Sequence, residues 1–378
     1  MNKKVVLNSD GIVSRRQNLP LLPSLKVNTN TQAGRKLVRL HNLISGDAPN
    51  ICIKRGPGIG DLLMLTPVIR FISEQYPMAK ITVATDMKYL GGALPAILKH
   101  IPFIHNVVDW DQKNIQDDYD VFLDEHCPCV AHEKPGALPV SRMDLFARHI
   151  GINKLDNPLP EYIIHPDELE IAKEYLSSNI KWNIQKDKVI IVNPFASAAG
   201  RCVHFEPLKR ALVRLSEDPN IKIIIIKHTD SDFADGSMWE NYSHCIAKNL
   251  GIRELAPLIK LSHLLICPDS ALMHLAAAIN SQALALFGPT DARARTDQYP
   301  SVTPLWPGGT LKCMCWYGYA SCVHLSCWKM IRDEDILNAS LRILDGQNPK
   351  DYNKILADIK NKFAFNQNIK STIKSEEI

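Results

Sequence analysis

Short apolar runs alternate with longer amphipathic segments along the chain from residue 51 onwards. The apolar runs are rich in β-branched residues and have the length of buried strands, which we predict over 51–53, 80–85, 106–108, 120–123, 188–193, 221–227, 264–267 and 283–287. Helices are predicted over 60–76, 141–150, 168–178, 253–262 and 333–344. Because strands that alternate with helices form parallel sheets, the predicted fold class is α/β, with doubly wound parallel sheets.

Two proline-bearing segments, at 157–160 and 165–166, divide this alternation into two series. The series look alike in architecture, although no internal sequence repeat is found. We therefore predict five parts: an irregular basic extension over 1–48, an N-terminal Rossmann-like domain over 49–165, a linker region over 166–187, a C-terminal Rossmann-like domain over 188–345, and a helix with a tail over 346–378.

The composition is typical of a water-soluble globular chain, with 46% hydrophobic and 22% charged residues. No run of about 18 apolar residues is present, and the first residues make a poor signal peptide, so a cytoplasmic location is expected. The net charge of +4 is concentrated in residues 1–48, which hold eight Lys or Arg and two Asp. This excess fits either a solvated tail or an attraction to phosphates, acidic lipids or nucleic acid.

The ten cysteines do not form a recognisable metal motif. Cys52 and Cys267 lie within predicted strands, where a reduced thiol behaves as a small hydrophobic group. The densest group is Cys313, Cys315, Cys322 and Cys327, and its spacing differs from the usual pair of C-x2-C zinc knuckles. Packing, a redox role and a structural metal all remain open for this group, and no catalytic metal is predicted.

A glycine-rich turn, Arg55-Gly56-Pro57-Gly58-Ile59-Gly60-Asp61, follows the first predicted strand. Glycine permits positive φ and lets backbone N–H groups approach a ligand closely. The spacing matches neither the dinucleotide fingerprint nor the P-loop. Asp61 can stabilise the dipole of the following helix or carry out chemistry, and the residues alone leave both open.

A second turn, Asp269-Ser270, precedes an almost wholly apolar helix that contains His274. The free N–H groups of a buried helix are suited to binding a diphosphate, although Asp and Ser are also ordinary helix caps and His274 can be structural. Arg201 lies in a loop of small residues that includes Ser197, and its guanidinium can bind phosphate oxygens in pairs. A surface arginine is the alternative.

Taken together, the two turns resemble the heptosyltransferases of glycosyltransferase family 9. Residues 58–61 followed by Leu65-Thr66-Pro67 are similar to the family's opening motif. Residues 269–271, 274–278 and 286–290 are similar to its donor-domain signature. The resemblance spans roughly residues 50–345 and implies a GT-B architecture: two Rossmann-like domains facing a central cleft, with the acceptor on the N-terminal domain and the nucleotide-sugar on the C-terminal domain.

The resemblance also implies roles for individual residues. Asp61 would be the general base, with Gly58, Gly60 and Asp124 on the acceptor side. The residues implied in donor and diphosphate binding are Ser197, Arg201, Asp269, Ser270, Ala271 and His274. Ala271 stands where the family usually has glycine.

We expect an inverting, metal-independent transferase that needs no cofactor. The family suggests an ADP-linked heptose as donor and a saccharide acceptor such as the lipopolysaccharide core. Three alternatives remain: the same chemistry on a modified DNA base, a non-catalytic nucleotide-sugar-binding protein, and a sugar-nucleotide epimerase that uses Asp124, Glu125 and His126.

Overall fold

The computed structural model describes residues 48–125, 140–227, 242–307 and 326–346, the backbone of 5–7 and 13–15, and positions 129, 133, 358, 360–362, 364–365 and 367–368. The chain forms two compact units. The first comprises Met1–Ala131, Arg142–Pro158 and Asn366–Ile378. The second comprises His132–Ser141 and Leu159–Phe365.

The first unit is built on a six-stranded sheet in the order β2-β1-β6-β3-β4-β5. Its strands are β1 (Val5–Leu7), β2 (Val13–Arg15), β3 (Asn50–Lys54), β4 (Lys80–Thr85), β5 (Asn106–Asp109) and β6 (Val121–Asp124). All neighbouring strands are parallel except β1 and β2. The helices are α1 (Ile59–Gln75), α2 (Ala93–Leu98) and α3 (Arg142–His149).

The second unit is built on a six-stranded parallel sheet in the order β12-β11-β10-β7-β8-β9. Its strands are β7 (Lys188–Val192), β8 (Ile221–Lys227), β9 (Cys245–Lys248), β10 (Leu264–Pro268), β11 (Ala283–Leu286) and β12 (Val302–Leu305). Its helices are α4 (Pro166–Ile180), α5 (Phe205–Leu215), α6 (Ile252–Leu261), α7 (Ala271–Ala278), α8 (Arg293–Thr296), α9 (Ser326–Lys329) and α10 (Asp333–Asp345). Reading from β9, the strands follow the 3-2-1-4-5-6 order of a Rossmann sheet.

The cores form because the central strands are buried on both faces. In β3, Ile51, Cys52 and Ile53 are almost fully inaccessible, and β10 is buried along its whole length. In α1, the residues from 62 to 69 are all buried. Burial raises the pKa of the Cys52 thiol to about 12 and also raises that of Cys267, so both remain protonated and behave as hydrophobic residues.

The structure confirms the predicted α/β class and most of the predicted strands. The extension over 1–48 was expected to be irregular, and this was wrong for two segments, since β1 lies beside β6 in parallel and β2 pairs with β1. Three-residue strands are too short to produce a periodic signal. Strands β9 and β12 were also missed. The predicted linker 166–187 contains helix α4, which lies within the second unit.

Among the residues that the structure describes, no helix is long and apolar enough to cross a membrane. Within the same residues, no cluster of His, Cys, Asp and Glu has the arrangement of a metal site. The positions of Cys313, Cys315, Cys322 and His126 lie outside the described residues. Cys327 is buried in α9.

Candidate functional site

The first group of polar residues lies where β3 and β6 end. These strands are neighbours in the sheet, and β4 continues from β3 on the other side, so the strand order reverses between β3 and β6. Ligands of open α/β sheets bind beyond the carboxyl ends of the strands at such a reversal. Arg55 directly follows β3, and Asp124 and Glu125 stand at the end of β6. Asp124 is half-buried and adjacent to Lys54 in the strand register.

Asp61 lies in the first turn of α1 and contacts two guanidinium groups. Arg55 Nη2 donates to Oδ2 at 2.5 Å, and Arg142 Nη1, from the first residue of α3, donates to Oδ1. All three side chains are largely buried, with 18% of the Asp61 side chain exposed. The two positive charges favour the ionised carboxylate and hold both of its oxygens in fixed positions.

The turn that carries Asp61 requires glycine at Gly58. The φ of Gly58 is +127°, which is strained for any residue with a side chain. A Cβ atom there would also lie 3.0 Å from Asp61 Oδ2. Gly58 precedes α1, and its carbonyl accepts the N–H of Leu62, so the turn and the helix are continuous. Gly60 lies inside the first turn of α1.

A buried acid–imidazole pair lies behind this turn. Glu125 is fully buried, and one of its oxygens is 2.6 Å from Nδ1 of His149, the last residue of α3. Burial raises the pKa of Glu125 above its usual range, although the hydrogen bond and charge of His149 partly oppose this effect. Arg55 and Asp124 also act on Glu125 through their charges. The pair connects the end of β6 to α3, the helix that supplies Arg142.

The second group of polar residues lies where β7 and β10 end, at the reversal of the Rossmann strand order. Asn193 directly follows β7, is 2% exposed, and donates to the carbonyl of Phe195 at 2.9 Å and to Ser270 Oγ at 3.4 Å. These contacts join the loop after β7 to the turn after β10.

Arg201 ends a single 3₁₀ turn, Ala199–Arg201, in the loop after β7. Its Nη1 donates to the carbonyl of Asp269 at 3.2 Å, and its Nη2 donates to Ser197 Oγ at 2.7 Å. Arg201 Nε is buried and has no hydrogen-bond partner among the described residues. A guanidinium has five N–H donors, so this one retains donors for a ligand.

Asp269 is a buried carboxylate between two arginines. Its Oδ2 lies 3.5 Å from Arg201 Nη1, and its Oδ1 lies 3.8 Å from Arg295 Nε. Burial alone would raise the pKa of Asp269, but the charges of Arg295, Arg201 and His274 outweigh it and lower the pKa. Arg295 also forms a buried ion pair with Glu133 at 2.8 Å. The buried charges are thus paired in a chain from Glu133 to Arg201.

Ser270 and Ala271 stand at the N-terminus of α7. Ser270 is the N-cap residue, and its side chain forms no capping hydrogen bond. The first backbone N–H groups of the helix are therefore not bonded to the side chain of their N-cap residue. His274 lies one turn further on and is 3% exposed. Its Nδ1 is 2.8 Å from the hydroxyl of Tyr299, which gives the imidazole a partner inside the fold.

The structure brings the predicted donor-side residues Ser197 and Asp269 into contact with Arg201, and Ser270, which follows Asp269 in the chain, into contact with Asn193. It likewise places Gly58 against Asp61. Sequence reasoning missed several residues of both groups: Arg55, Arg142, His149, Asn193, Glu133 and Arg295. Two signals were available in the sequence, because Asn193 is the last residue of one predicted strand and Arg55 lies two residues after the end of another.

Comparison with known proteins gives one family and a set of similar folds. Residues 130–306 match the model of glycosyltransferase family 9 (heptosyltransferase). That range includes Arg201 and Asp269, whereas Asp61 precedes it. No curated protein sequence matches the chain.

Three solved structures illustrate the similarity of fold. The family 9 glycosyl transferase from Veillonella parvula DSM 2008 has a TM-score of 0.63 at 15% identity, covering 80% of this chain and 99% of that one. The ADP-heptose lps heptosyltransferase II of E. coli has a TM-score of 0.55 at 15% identity, with coverage of 78% and 98%. An iron-containing dodecameric glycosyltransferase of enterotoxigenic E. coli H10407 has a TM-score of 0.56 at 11% identity, with coverage of 79% and 76%.

The family match and the fold agree with the resemblance that the two turns indicated. Residues 130–306 thus match the model of glycosyltransferase family 9, and the chain has the GT-B fold of glycosyltransferases.

Proposed function

We propose that the protein is an inverting glycosyltransferase that moves a sugar from a nucleoside-diphosphate donor to an acceptor hydroxyl, with Asp61 as general base and without a metal ion. The observation that carries the proposal is the double guanidinium contact of Asp61. It fixes a carboxylate in the first turn of α1, at the strand-end edge where sheets of this type bind ligands.

Asp61 can act on an acceptor while both arginines remain bound. Arg55 contacts one carboxylate oxygen and Arg142 contacts the other, and an ionised carboxylate has about four lone-pair sites, more than these two contacts use. As the acceptor oxygen bonds to the anomeric carbon, its proton passes to Asp61. The bond from that carbon to the donor phosphate breaks, and its electron pair leaves on the diphosphate. Because the guanidinium groups reduce the basicity of the carboxylate, we expect proton transfer late in the step.

The donor diphosphate would be bound by Arg201 and the N-terminus of α7. Arg201 retains an unused Nε–H, and the first turn of α7 presents backbone N–H groups with the positive end of the helix dipole. The hydrogen bonds from both groups become stronger as negative charge develops on the leaving diphosphate. Asp269 would not bind the diphosphate directly, since it is buried and its charge serves to hold Arg201 in place.

The substrates that we propose are taken from the names of structurally similar proteins. One similar structure is named as an ADP-heptose lps heptosyltransferase. An ADP-linked heptose and a lipopolysaccharide core saccharide are therefore the donor and acceptor that we propose, with no additional cofactor. Transfer to a modified DNA base, and binding of a nucleotide-sugar without transfer, remain the alternatives. A binding protein has no use for the fixed carboxylate of Asp61.

Calorimetric titration with ADP, UDP, GDP and CDP tests the donor side. We expect one nucleotide series to bind, and Arg201→Ala to weaken that binding roughly 10- to 100-fold by loss of a charged phosphate contact. Arg210→Ala is the matched control, because Arg210 is half-exposed on α5 and pairs only loosely with Glu206 and Asp333. Equal affinities of Arg201→Ala and Arg210→Ala would contradict the donor site.

A further inference from the structure

Trp328 contacts the loop that carries Arg201, although it lies more than a hundred residues further along the chain. It belongs to the short helix α9 and is 2% exposed. Its indole Nε1–H donates to the carbonyl of Gly200 at 2.9 Å. Gly200 is the residue immediately before Arg201 in the 3₁₀ turn. One side-chain hydrogen bond therefore holds the backbone next to the proposed phosphate-binding arginine.

The indole also lies against the turn after β11. A Cβ atom on Gly288 would be 2.4 Å from Trp328 Cε2 and 2.5 Å from Nε1, which no real contact allows. The φ of Gly288 is outside the left-handed region, so space rather than backbone conformation requires glycine there. The indole is thus packed against the backbone of Gly288 and hydrogen-bonded to the carbonyl of Gly200.

The position of this hydrogen bond matters because glycine has the most backbone freedom of any residue. Gly200 would otherwise allow the 3₁₀ turn to change shape directly before Arg201. The N–H of Arg201 is bonded to the carbonyl of Ala198 at 2.9 Å, and its guanidinium is bonded to Ser197 and Asp269. The hydrogen bond from Trp328 restrains Gly200, the residue of the turn with the most backbone freedom.

We propose that Trp328 is a positioning residue for the donor diphosphate, which acts by holding the turn of Arg201 in its binding conformation. This inference rests on the proposed role of Arg201. A site fixed in advance binds more tightly because less conformational entropy is lost on binding. The competing explanation is that Trp328 only fills the core, where it packs in one cluster with residues such as Ile331, Ile336 and Leu337.

A double-mutant cycle with ADP as the probe separates these explanations. Trp328→Phe keeps an aromatic ring and removes the N–H donor. We expect it to weaken ADP binding about three- to tenfold, the value of one hydrogen bond. In an Arg201→Ala background the same substitution should have almost no further effect, because its action passes through Arg201. Ile336→Val is the control, since it removes one methylene from the same cluster and should leave ADP affinity unchanged.

A second variant, at Gly288, disturbs the same indole without changing Trp328 itself. Gly288→Ala should displace the indole and weaken ADP binding in the wild-type background, again with little additional effect when Arg201 is Ala. Two results would show that the positioning role is wrong while the donor site stands. In the first, Arg201→Ala weakens ADP binding but Trp328→Phe and Gly288→Ala do not. In the second, the losses caused by Trp328→Phe and Gly288→Ala are fully retained in the Arg201→Ala background. If Arg201→Ala has no effect, both the donor site and this inference are wrong.

Discussion

Arg201 and Asp269 contact each other twice, through the backbone and through the side chain. Nη1 of Arg201 donates to the carbonyl oxygen of Asp269 at 3.2 Å and lies 3.5 Å from its carboxylate Oδ2. A residue 68 positions away therefore fixes both the direction and the charge environment of the arginine that we assign to the donor phosphates. The arginine is held in place before any ligand arrives, which reduces the entropy lost on binding.

Asp269→Asn should lower the thermal denaturation midpoint at neutral pH. Removing one member of a buried charge network costs about 3–5 kcal/mol, since Arg201 and Arg295 would lose their carboxylate. The folded-state pKa of Asp269 is below 3.8, so its stabilisation is fully present above pH 3.8 and is lost as the pH falls through the lowered value. The difference between variant and wild type should shrink at acidic pH. A difference that stayed constant would contradict the assigned charge state.

Glu125→Gln should show the opposite pH dependence. Burial raises the pKa of Glu125, so its contribution to stability is present below its ordinary value of 4.5 and is lost as the pH rises through the raised value. Glutamine does not ionise, and its amide can still contact His149. We expect the denaturation midpoint of the variant, relative to wild type, to increase from pH 4.5 to pH 8. A relative decrease over that range would show that the ionised Glu125 is favoured by the fold.

Arg142→Gln should reduce turnover more than it reduces donor binding. The substitution leaves Asp61 with Arg55 as its remaining described guanidinium partner, so the orientation of the carboxylate becomes less fixed. We expect the turnover number to fall about tenfold or more, with ADP affinity within about twofold of wild type. Arg148→Gln is the matched control, because Arg148 is exposed on the same helix. Similar turnover numbers in the two variants would contradict the assignment of Arg142 to the catalytic site.

Gly58→Ala should impair both folding and activity. Alanine at a φ of +127° would be strained by about 1–3 kcal/mol, and its Cβ would lie 3.0 Å from the Asp61 carboxylate. We expect a lower denaturation midpoint and reduced turnover. Gly91→Ala provides a comparison, since Gly91 also has a positive φ but its Cβ would meet nothing within 4 Å. If the two variants lost the same stability and the same activity, the contact with Asp61 would have no special importance.

The fold could be predicted largely because its strands are continuous apolar runs. Strand β4 was predicted with its exact bounds, and β8 likewise, since both runs are rich in β-branched residues. Strands β1 and β2 could not be predicted, because three residues acquire their structure from pairing rather than from their own sequence.

The site was predictable only where chemistry and strand ends coincide. Asp61 lies in the first turn of a helix that follows an apolar strand, and Asp269 lies between an apolar strand and the N-cap of the next helix, so their positions could be inferred from local sequence. The partners that determine their charge environment are distant in sequence: Arg142 is 81 residues from Asp61, and Glu133 is 162 residues from Arg295. Such pairs are set by tertiary packing, which a single sequence does not reveal.

The central claim, that Asp61 takes the acceptor proton, is tested most directly by single-turnover sugar transfer with Asp61→Asn. Asparagine keeps the size of the side chain and removes the basic oxygen. Asp118→Asn, at an exposed carboxylate of the same unit, is the control for loss of charge. We predict that Asp61→Asn transfers sugar 10²- to 10⁴-fold more slowly while binding ADP with wild-type affinity. Transfer at a rate close to that of wild type would contradict the assignment of Asp61 as the base.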